Sequence, residues 1–174
     1  MFNKIILSIL AIVTLSHGSD VFSSERILGI EVGYSTLNTN KNSTNHSTNN
    51  AEYGVKIGMQ SEEWRTTLLC NFFTKEGHKY QKVMFDFDRF MWTSLFNKID
   101  ATLFKPYLGG HIGWMRYTDT LSLNDAGLVY GGQAGLAWNL SQEVDLDLGY
   151  RYSLTNIKEV ESINSVVFGM NYLY

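Results

Sequence analysis

Hydrophobic and polar residues alternate with a period of two along most of this chain. The clearest case is the final stretch, residues 165–174, which reads SVVFGMNYLY. One face of this stretch carries large side chains, namely Val166, Phe168, Met170, Tyr172 and Tyr174. A period of two predicts a β-strand, because successive side chains of a strand point to opposite faces of the sheet.

The same alternation recurs in separate runs, each bounded by polar residues or glycine. The predicted strands before the last one are residues 26–36, 51–60, 64–73, 80–89, 105–117, 128–139 and 144–152. Between residues 90 and 104 the pattern blurs, and both a short helix and an extended hairpin fit it. Eight strands are therefore predicted, and pairing of the last strand with the first would leave no open edge.

The connections between these strands alternate in character. Long or polar loops are predicted at residues 38–50, 74–79, 118–126 and 154–162, whereas residues 61–63 and 139–142 are predicted to be tight turns. The first loop is Asn-rich and almost without apolar residues. Long loops at one end and short turns at the other are typical of transmembrane barrels. The predicted fold is all-β, an eight-stranded antiparallel up-and-down transmembrane β-barrel.

The amino terminus has the three-part pattern of a secretory signal. Lys4 precedes an apolar run, residues 5–15, which is followed by the small residues Ser16 and Gly18. We expect residues 1–18 to be a cleaved signal peptide and residues 19–174 to form the barrel domain. After this segment no apolar run is long enough to cross a bilayer as a helix, so a membrane role would require strands.

The glycines indicate which face of the barrel points outward. Alternation alone also fits a soluble lipocalin-like barrel, which has its apolar residues inside. The strand glycines, however, nearly all share the polar face; they are Gly29, Gly33, Gly54, Gly58, Gly109, Gly113, Gly131, Gly135, Gly149 and Gly169. A narrow eight-stranded interior needs residues without side chains, whereas a solvated outer face does not. The large apolar residues are therefore expected to face lipid, with interfacial aromatic residues Tyr34, Tyr53, Trp64, Trp114, Trp138 and Tyr152.

This orientation places a set of polar residues inside the barrel. The predicted interior network comprises Glu31, Glu52, Lys56, Arg65, Lys82, Asp86, Asp88, His111, Gln133, Asp145, Asp147 and Arg151. Acids and bases confined together are expected to pair, because an isolated buried charge costs several kcal/mol. A filled interior predicts a barrel that is not a general pore.

Composition excludes several other classes. The net charge of -3 gives nucleic acid no basic surface, and a single cysteine, Cys70, excludes an internal disulfide. His111 lies at mid-strand on the interior face, where a hydrogen-bonding role is favoured over a catalytic base or metal ligand. His46 and His78 fall in predicted loops. No catalytic, cofactor-binding or metal-binding set is predicted, and the protein is not expected to be an enzyme.

Three stretches carry a resemblance to a known family: residues 105–114 (KPYLGGHIGW), 146–152 (LDLGYRY) and the closing residues 166–174. The chain resembles the small outer-membrane β-barrels of the OmpA, OmpX and opacity-protein type. The resemblance covers nearly all of the chain after the signal peptide, although full-length OmpA also has a peptidoglycan-binding domain. It implies an outer-membrane location in a Gram-negative envelope and a carboxyl-terminal assembly signal formed by Phe168, Met170, Tyr172 and Tyr174.

The resemblance also suggests partners and a role. It implies contact with outer-membrane lipid and lipopolysaccharide, insertion by the barrel assembly machinery, and a monomer without cofactors. The expected function is structural or adhesion-type, as a surface antigen whose extracellular loops meet an external ligand or host surface. Two alternatives remain open: an enzyme that modifies lipid A, for which His46 and Ser47 are the nearest match to a rim site, and a soluble ligand-binding barrel.

Overall fold

The computed structural model describes residues 24–41, 44–75, 78–91, 104–118, 124–158 and 160–174. These residues form eight strands, namely β1 (Glu25–Lys41), β2 (Thr44–Gln60), β3 (Trp64–Lys75), β4 (His78–Phe90), β5 (Phe104–Thr118), β6 (Asn124–Asn139), β7 (Val144–Thr155) and β8 (Val160–Leu173). The eight-stranded all-β fold predicted from the sequence is thus confirmed. The predicted signal peptide, residues 1–18, lies outside the described residues and stays a prediction.

Each strand pairs with the next in antiparallel fashion, and β8 pairs with β1, so the sheet is closed. In the closing pair Val32 lies opposite Phe168 and Tyr34 opposite Val166. The predicted pairing of the last strand with the first is therefore confirmed. Closure leaves the spanning part of the sheet without an edge, as a bilayer requires.

The strands are strongly staggered around the barrel. Following cross-strand partners from Ile27 through one residue of each strand leads, by way of Ser153 and Ile163, to Leu37 on β1. The path thus returns ten residues further along β1 than it began. A stagger of this size tilts the strands by about 40° from the barrel axis.

The two ends of the barrel differ, and we name them by their contents. The terminal end contains Glu25 and Tyr174, together with residues 61–63 and 140–143. There Arg26 and Tyr174 exchange two backbone hydrogen bonds. The distal end contains the connections between β1 and β2, β3 and β4, β5 and β6, and β7 and β8.

The predicted Asn-rich loop, residues 38–50, is wrong for most of its length. β1 continues to Lys41 and β2 begins at Thr44, so that Asn38 pairs with Ser47 and Leu37 with Thr48. Polar composition favours loops. Backbone hydrogen bonds between two strands do not depend on side-chain polarity, however, and the register of the preceding residues of β1 and β2 already aligns these residues. Two buried side chains, Leu37 and Thr48, further anchor this polar hairpin to the barrel.

The other predicted loops are also too long. Strand residues occupy parts of residues 74–79, 118–126 and 154–162, and the connections shrink to residues 76–77, 119–123 and 156–159. The longest connection, residues 91–103, instead lies at the terminal end. The predicted tight turns at residues 61–63 and 139–142 are confirmed. The predicted greater length of the distal connections is wrong, because the chain extends its strands rather than its loops. Residues 92–103, whose conformation the sequence left open, lie outside the described part.

The two faces of the sheet are arranged as predicted. Large apolar side chains on the outer face are about half exposed, for example Ile30 at 57% and Phe168 at 47%, whereas charged side chains on the inner face are buried. Inner-face glycines make room for neighbours: a Cβ on Gly135 would overlap the carbonyl oxygen of Leu148 and lie 2.6 Å from the Tyr107 hydroxyl. Among the described residues, no helix is long and apolar enough to cross a membrane.

Candidate functional site

The middle of the barrel interior is a layer of paired charged and polar side chains. All the residues of the predicted interior network are buried, namely Glu31, Glu52, Lys56, Arg65, Lys82, Asp86, Asp88, His111, Gln133, Asp145, Asp147 and Arg151. They come from β1 to β7 and point into the same narrow space because each falls on the inner parity of its strand. Their contacts divide them into several groups.

Arg65 is the centre of the first group. Its guanidinium donates to Asp147 Oδ1 at 2.8 Å and to Asp88 Oδ2 at 2.9 Å. It also lies over the rings of Tyr107 and Phe90, at 4.6 and 5.4 Å from their centroids. A planar guanidinium can bind two carboxylates and stack at the same time, so Arg65 holds β3, β4 and β7 together with aromatic support.

Lys56 and Asn171 complete the surroundings of Asp147. The Lys56 ammonium donates to Asp147 Oδ2 at 2.7 Å, and the Asn171 amide donates to the same oxygen at 2.8 Å. Asp147 therefore accepts from β2, β3 and β8 while belonging to β7. Such charge-assisted hydrogen bonds offset the desolvation of a buried carboxylate.

Arg151 is the centre of the second group. It donates to Glu31 Oε1 at 2.9 Å and to Gln133 Oε1 at 3.0 Å, and it lies 3.6 Å from Asp86 Oδ2. Gln133 in turn donates to Asp88 Oδ1 at 2.7 Å, which links this group to that of Arg65. Asp86 is the least supported of these carboxylates, because its Oδ1 is buried without a hydrogen-bond partner among the described residues and its Oδ2 has only the 3.6 Å contact with Arg151.

Four predicted residues lie apart from these two centres, namely Glu52, Lys82, His111 and Asp145. Glu52 pairs with Lys82 at 3.0 Å and accepts hydrogen bonds from Ser35 and Tyr80. His111 Nε2 lies 2.8 Å from Ser153 Oγ, which agrees with a hydrogen-bonding role.

Asp145 lies towards the terminal end and accepts from the amides of Gln60, at 3.0 Å, and Asn139. Interior positions that the prediction omitted include Ser35, Gln60, Asn71, Ser153, Ser165 and Asn171. Strand parity alone would have found them.

Apolar clusters lie on both sides of the charged layer, and the sequence analysis missed them. The distal cluster comprises Leu37, Leu69, Phe73, Tyr80, Met84, Met115, Tyr117, Val129, Ile157, Val160 and Ile163. Phe73 and Tyr80 stack within it, with ring centroids 4.6 Å apart. The terminal cluster comprises Phe90, Tyr107 and Ala137. The interpretation of the inner faces rested on the polar residues near the middle of the strands. The large apolar residues towards the strand ends would have predicted these clusters.

Little free space remains between the paired side chains. A cavity of about 10 Å³ lies among Glu31, Asp86, Asp88, Arg65 and Arg151. That volume accommodates no more than about one water molecule. The described interior is therefore packed at this level.

The outer surface carries a belt of apolar side chains that runs around the barrel. It includes Leu28, Ile30, Val32, Val55, Phe72, Phe85, Leu108, Ile112, Leu136, Leu148, Val166, Phe168 and Met170. Stacked aromatic pairs mark its terminal border, namely Trp64 with Phe87, Phe104 with Trp138 and Tyr172 with Tyr174. Tyr34, Tyr53, Trp114 and Tyr152 lie nearer the distal border. An apolar belt between aromatic girdles is the outer surface of a transmembrane barrel.

This arrangement argues against the soluble ligand-binding barrel, which would keep its apolar side chains inside and its charges in water. The predicted assembly residues Phe168, Met170, Tyr172 and Tyr174 all point outward from β8 and its terminal neighbour. Their role in assembly remains a prediction. Cys70 also belongs to the outer face and is partly exposed.

Evidence for reaction chemistry is sparse in the described residues. They contain no group of three or more His, Cys, Asp or Glu side chains that could hold a metal ion. The His46 and His78 side chains lie outside the described part of the chain, so a rim site at His46 and Ser47 stays a prediction. The Ser47 hydroxyl donates to Asn38 Oδ1 at 2.8 Å across the hairpin.

The sequence matches no family model and none of the curated proteins. Solved structures, in contrast, are similar over nearly their whole length. Neisserial surface protein A superposes with a TM-score of 0.68 at 14% identity, covering 84% of this chain and 96% of that one. Outer membrane protein H (OprH) from Pseudomonas aeruginosa gives 0.61 at 21% identity, covering 86% and 99%.

The N-terminal β-barrel domain of Pseudomonas aeruginosa OprF gives a TM-score of 0.58 at 11% identity, covering 84% of this chain and 97% of that domain. Identities this low establish the architecture only. The architecture that these structures share with this chain is consistent with the apolar belt and the filled interior described above. The chain therefore has the fold of the small eight-stranded β-barrels of the bacterial outer membrane.

Proposed function

We propose that the protein is an integral outer-membrane barrel with a structural or adhesion-type role, exposed at the cell surface through its distal end, and that it is not a general pore. The observation that carries the proposal is the apolar belt around an interior filled with ion pairs. Lipid is the environment that such a belt requires, because exposed apolar surface of this extent is unfavourable in water.

The hairpin of β1 and β2 supports a role at the surface. β1 pairs with β8 only as far as Thr39, and β2 pairs with β3 only from Glu52 towards the terminal end. Residues 44–51 of β2 therefore have no strand partner on the β3 side, and only the tip of the hairpin, Asn40, Lys41, Thr44 and Asn45, extends beyond both neighbouring strands. The Asn, Ser and Thr side chains of the hairpin offer hydrogen-bond donors and acceptors to an extracellular ligand or host surface.

The interior supports the absence of a general pore. Paired charges fill the middle layer, and apolar clusters lie distal and terminal to it. An eight-stranded barrel has an interior just wide enough for side chains to fill. An open path for solutes would require several of these groups to move together.

The first prediction concerns topology and tests the proposal. An epitope inserted between Lys41 and Thr44 should react with antibody on intact cells, because this connection joins strands at the distal end. The same epitope inserted between Ser61 and Trp64 should react only after the outer membrane is permeabilised. Flow cytometry on intact and permeabilised cells measures both. The reverse pattern would show that the barrel is inverted, and reaction at neither site in envelope fractions would contradict membrane insertion.

Residues 1–18 enter the proposal as the export signal, on the strength of their charged, apolar and small-residue segments. The mature amino terminus of barrel purified from outer membranes should then lie near residue 19. Sequencing of that terminus measures the cleavage site, and an intact Met1 would contradict export by this segment.

A further inference from the structure

Three inward side chains meet at the terminal end of the barrel interior. They are Gln60, the last residue of β2, Asn139, the last residue of β6, and Asp145, the second residue of β7. Asp145 Oδ2 accepts a hydrogen bond from the Gln60 amide at 3.0 Å, and Asp145 Oδ1 accepts one from the Asn139 amide at 2.5 Å. One carboxylate therefore joins the ends of three strands.

Asp145 is buried without a counter-ion. The residue is 0% exposed, and none of the described lysine or arginine side chains lies within ion-pair distance of it. Lys105 occupies an inner position at this end as well, but its ammonium lies over the Phe90 ring, 5.6 Å from the centroid. Because a buried charge without an opposite charge is unfavourable, two hydrogen bonds from neutral amides offset only part of its desolvation.

The two amides that contact Asp145 each have an oxygen that is not used. Gln60 Oε1 and Asn139 Oδ1 are buried and have no hydrogen-bond partner in the described part of the chain, and Gln60 as a whole is only 2% exposed. Burial of an amide oxygen without a donor costs free energy, because the oxygen loses its hydrogen bonds to water. The carboxylate and both amide oxygens would therefore be stabilised by the same thing, which is a positive charge between them.

A half-turn of each amide would bring its oxygen to the carboxylate. The turn exchanges a nitrogen and an oxygen of nearly the same size, so it needs no additional room. The amide oxygens would then take the positions that the nitrogens hold, 3.0 and 2.5 Å from the oxygens of Asp145. Oxygens this close repel one another unless a cation binds them jointly. The strand ends thus supply one charged and two neutral oxygen ligands to a single point.

We propose that Asp145, Gln60 and Asn139 form a binding site for one calcium ion. Carboxylate and amide oxygens are ligands of hard cations, and Ca²⁺ accepts irregular sets of them at about 2.3–2.6 Å, with water completing its shell. Mg²⁺ fits less well, because it demands near-ideal octahedral geometry. With a single carboxylate the site is weak, with a Kd of about 0.1–1 mM. Bound calcium holds the ends of β2, β6 and β7 together.

Isothermal titration of the refolded barrel with CaCl₂, in uncharged detergent and about 150 mM NaCl, tests the site. We expect wild-type protein to bind one Ca²⁺ per barrel. Asp145→Asn should weaken binding at least about ten-fold, because it removes the only charged ligand. Gln60→Met and Asn139→Leu should each weaken binding about three-fold, because each removes one neutral ligand and keeps the charge.

Glu143→Gln is the matched control, because Glu143 lies two residues from Asp145 at the same end of the barrel but is exposed. Calcium should raise the urea concentration at the midpoint of unfolding for the wild type and for E143Q, but not for D145N. A purely structural role of Asp145 would instead change the midpoint equally with and without calcium. The heat-dependent shift of folded barrel on gels verifies folding, and Q60M and N139L provide the test if D145N does not fold.

Absence of saturable binding of one ion per barrel would overturn the inference. So would unchanged binding by D145N, or an equal loss in E143Q, since calcium would then meet only the acidic surface of the rim. Mg²⁺ bound as tightly as Ca²⁺ would overturn the assignment to calcium. The proposed function is independent of all these outcomes, because the site uses neither the distal end nor its orientation.

Discussion

Single residues in the interior serve more than one strand at once. Arg65 on β3 contacts carboxylates on β4 and β7, and Arg151 on β7 contacts acceptors on β1, β4 and β6. Because each guanidinium is buried, its contacts cannot be replaced by water without rearrangement. Loss of either guanidinium would therefore leave buried carboxylates on more than one strand without their cation.

Arg151→Ala should destabilise the barrel strongly, by about 3–5 kcal/mol, because it leaves Glu31 and Asp86 as buried carboxylates without their cation. Unfolding by urea in phospholipid vesicles measures the change in free energy of unfolding. Arg116→Ala is the matched control: it removes the same side chain from an exposed position and should change stability by less than about 0.5 kcal/mol. Similar losses for the two variants would contradict this account of the interior.

A pair of inner-face glycines gives a second residue-scale prediction. A Cβ on Gly149 would overlap the Tyr107 hydroxyl, and its next contacts are at 3.4 Å, whereas a Cβ on Gly135 would also overlap a backbone carbonyl. Gly149→Ala and Gly135→Ala should each cost about 1–3 kcal/mol in the free energy of unfolding. Tyr107→Phe removes the hydroxyl. It should therefore restore most of the stability lost in Gly149→Ala but not the stability lost in Gly135→Ala.

The same urea titrations on the single and double variants measure this coupling. Tyr107→Phe alone is the reference for both pairs, since it also changes the surroundings of Arg65. If Tyr107→Phe rescued both glycine variants equally, or neither, the hydroxyl would not be the group that Gly149 accommodates.

At the scale of strands, alternation predicted which residues face lipid and which face the interior. Inner residues such as Asp86 and outer residues such as Phe85 lie where parity placed them. Strand ends were harder to predict, because pairing of the backbone does not depend on polarity, and the Asn-rich hairpin continues the register past the belt. The interior contacts could not be predicted either, since Arg65 and Asp147 meet only after the barrel closes.

The closing strand gives a prediction about assembly. Replacing Tyr172 and Tyr174 with Ser removes a stacked aromatic pair from the terminal border of the belt, where β8 must join β1. We expect a several-fold lower amount of heat-modifiable barrel in outer-membrane fractions, with the remainder degraded in the periplasm.

Tyr150→Ser with Tyr152→Ser is the matched control for that experiment. These tyrosines are 50% and 43% exposed on the outer face of β7, close to the 47% and 60% of Tyr172 and Tyr174. A comparable fall in the control would mean that loss of lipid-facing aromatic surface, rather than its place on the closing strand, limits assembly.

In the whole molecule, the closed sheet encloses an interior that is filled by the charged layer and the two apolar clusters together. The cavity of about 10 Å³ within the charged layer has room for no more than about one water molecule. Wild-type protein in planar bilayers should therefore show no steady porin-like conductance. Single-channel recording measures this, with a large porin prepared in the same detergent as the positive control; sustained current through the pure barrel would contradict a filled interior.

The closed register also limits how the length of this chain can change in evolution. A path around the barrel returns to β1 after a fixed stagger, so one added residue within a spanning strand would turn every following inner side chain of that strand towards lipid. A single insertion or deletion is therefore tolerable only where a β-bulge absorbs it, as the register shift between β1 and β8 at Asn38 and Thr39 does; elsewhere such changes must come in pairs that preserve the faces. At the tip of the hairpin, where Asn40, Lys41, Thr44 and Asn45 pair only with one another, residues can be added two at a time, one on each strand. The surface of this protein can therefore diversify there while the barrel beneath it stays the same.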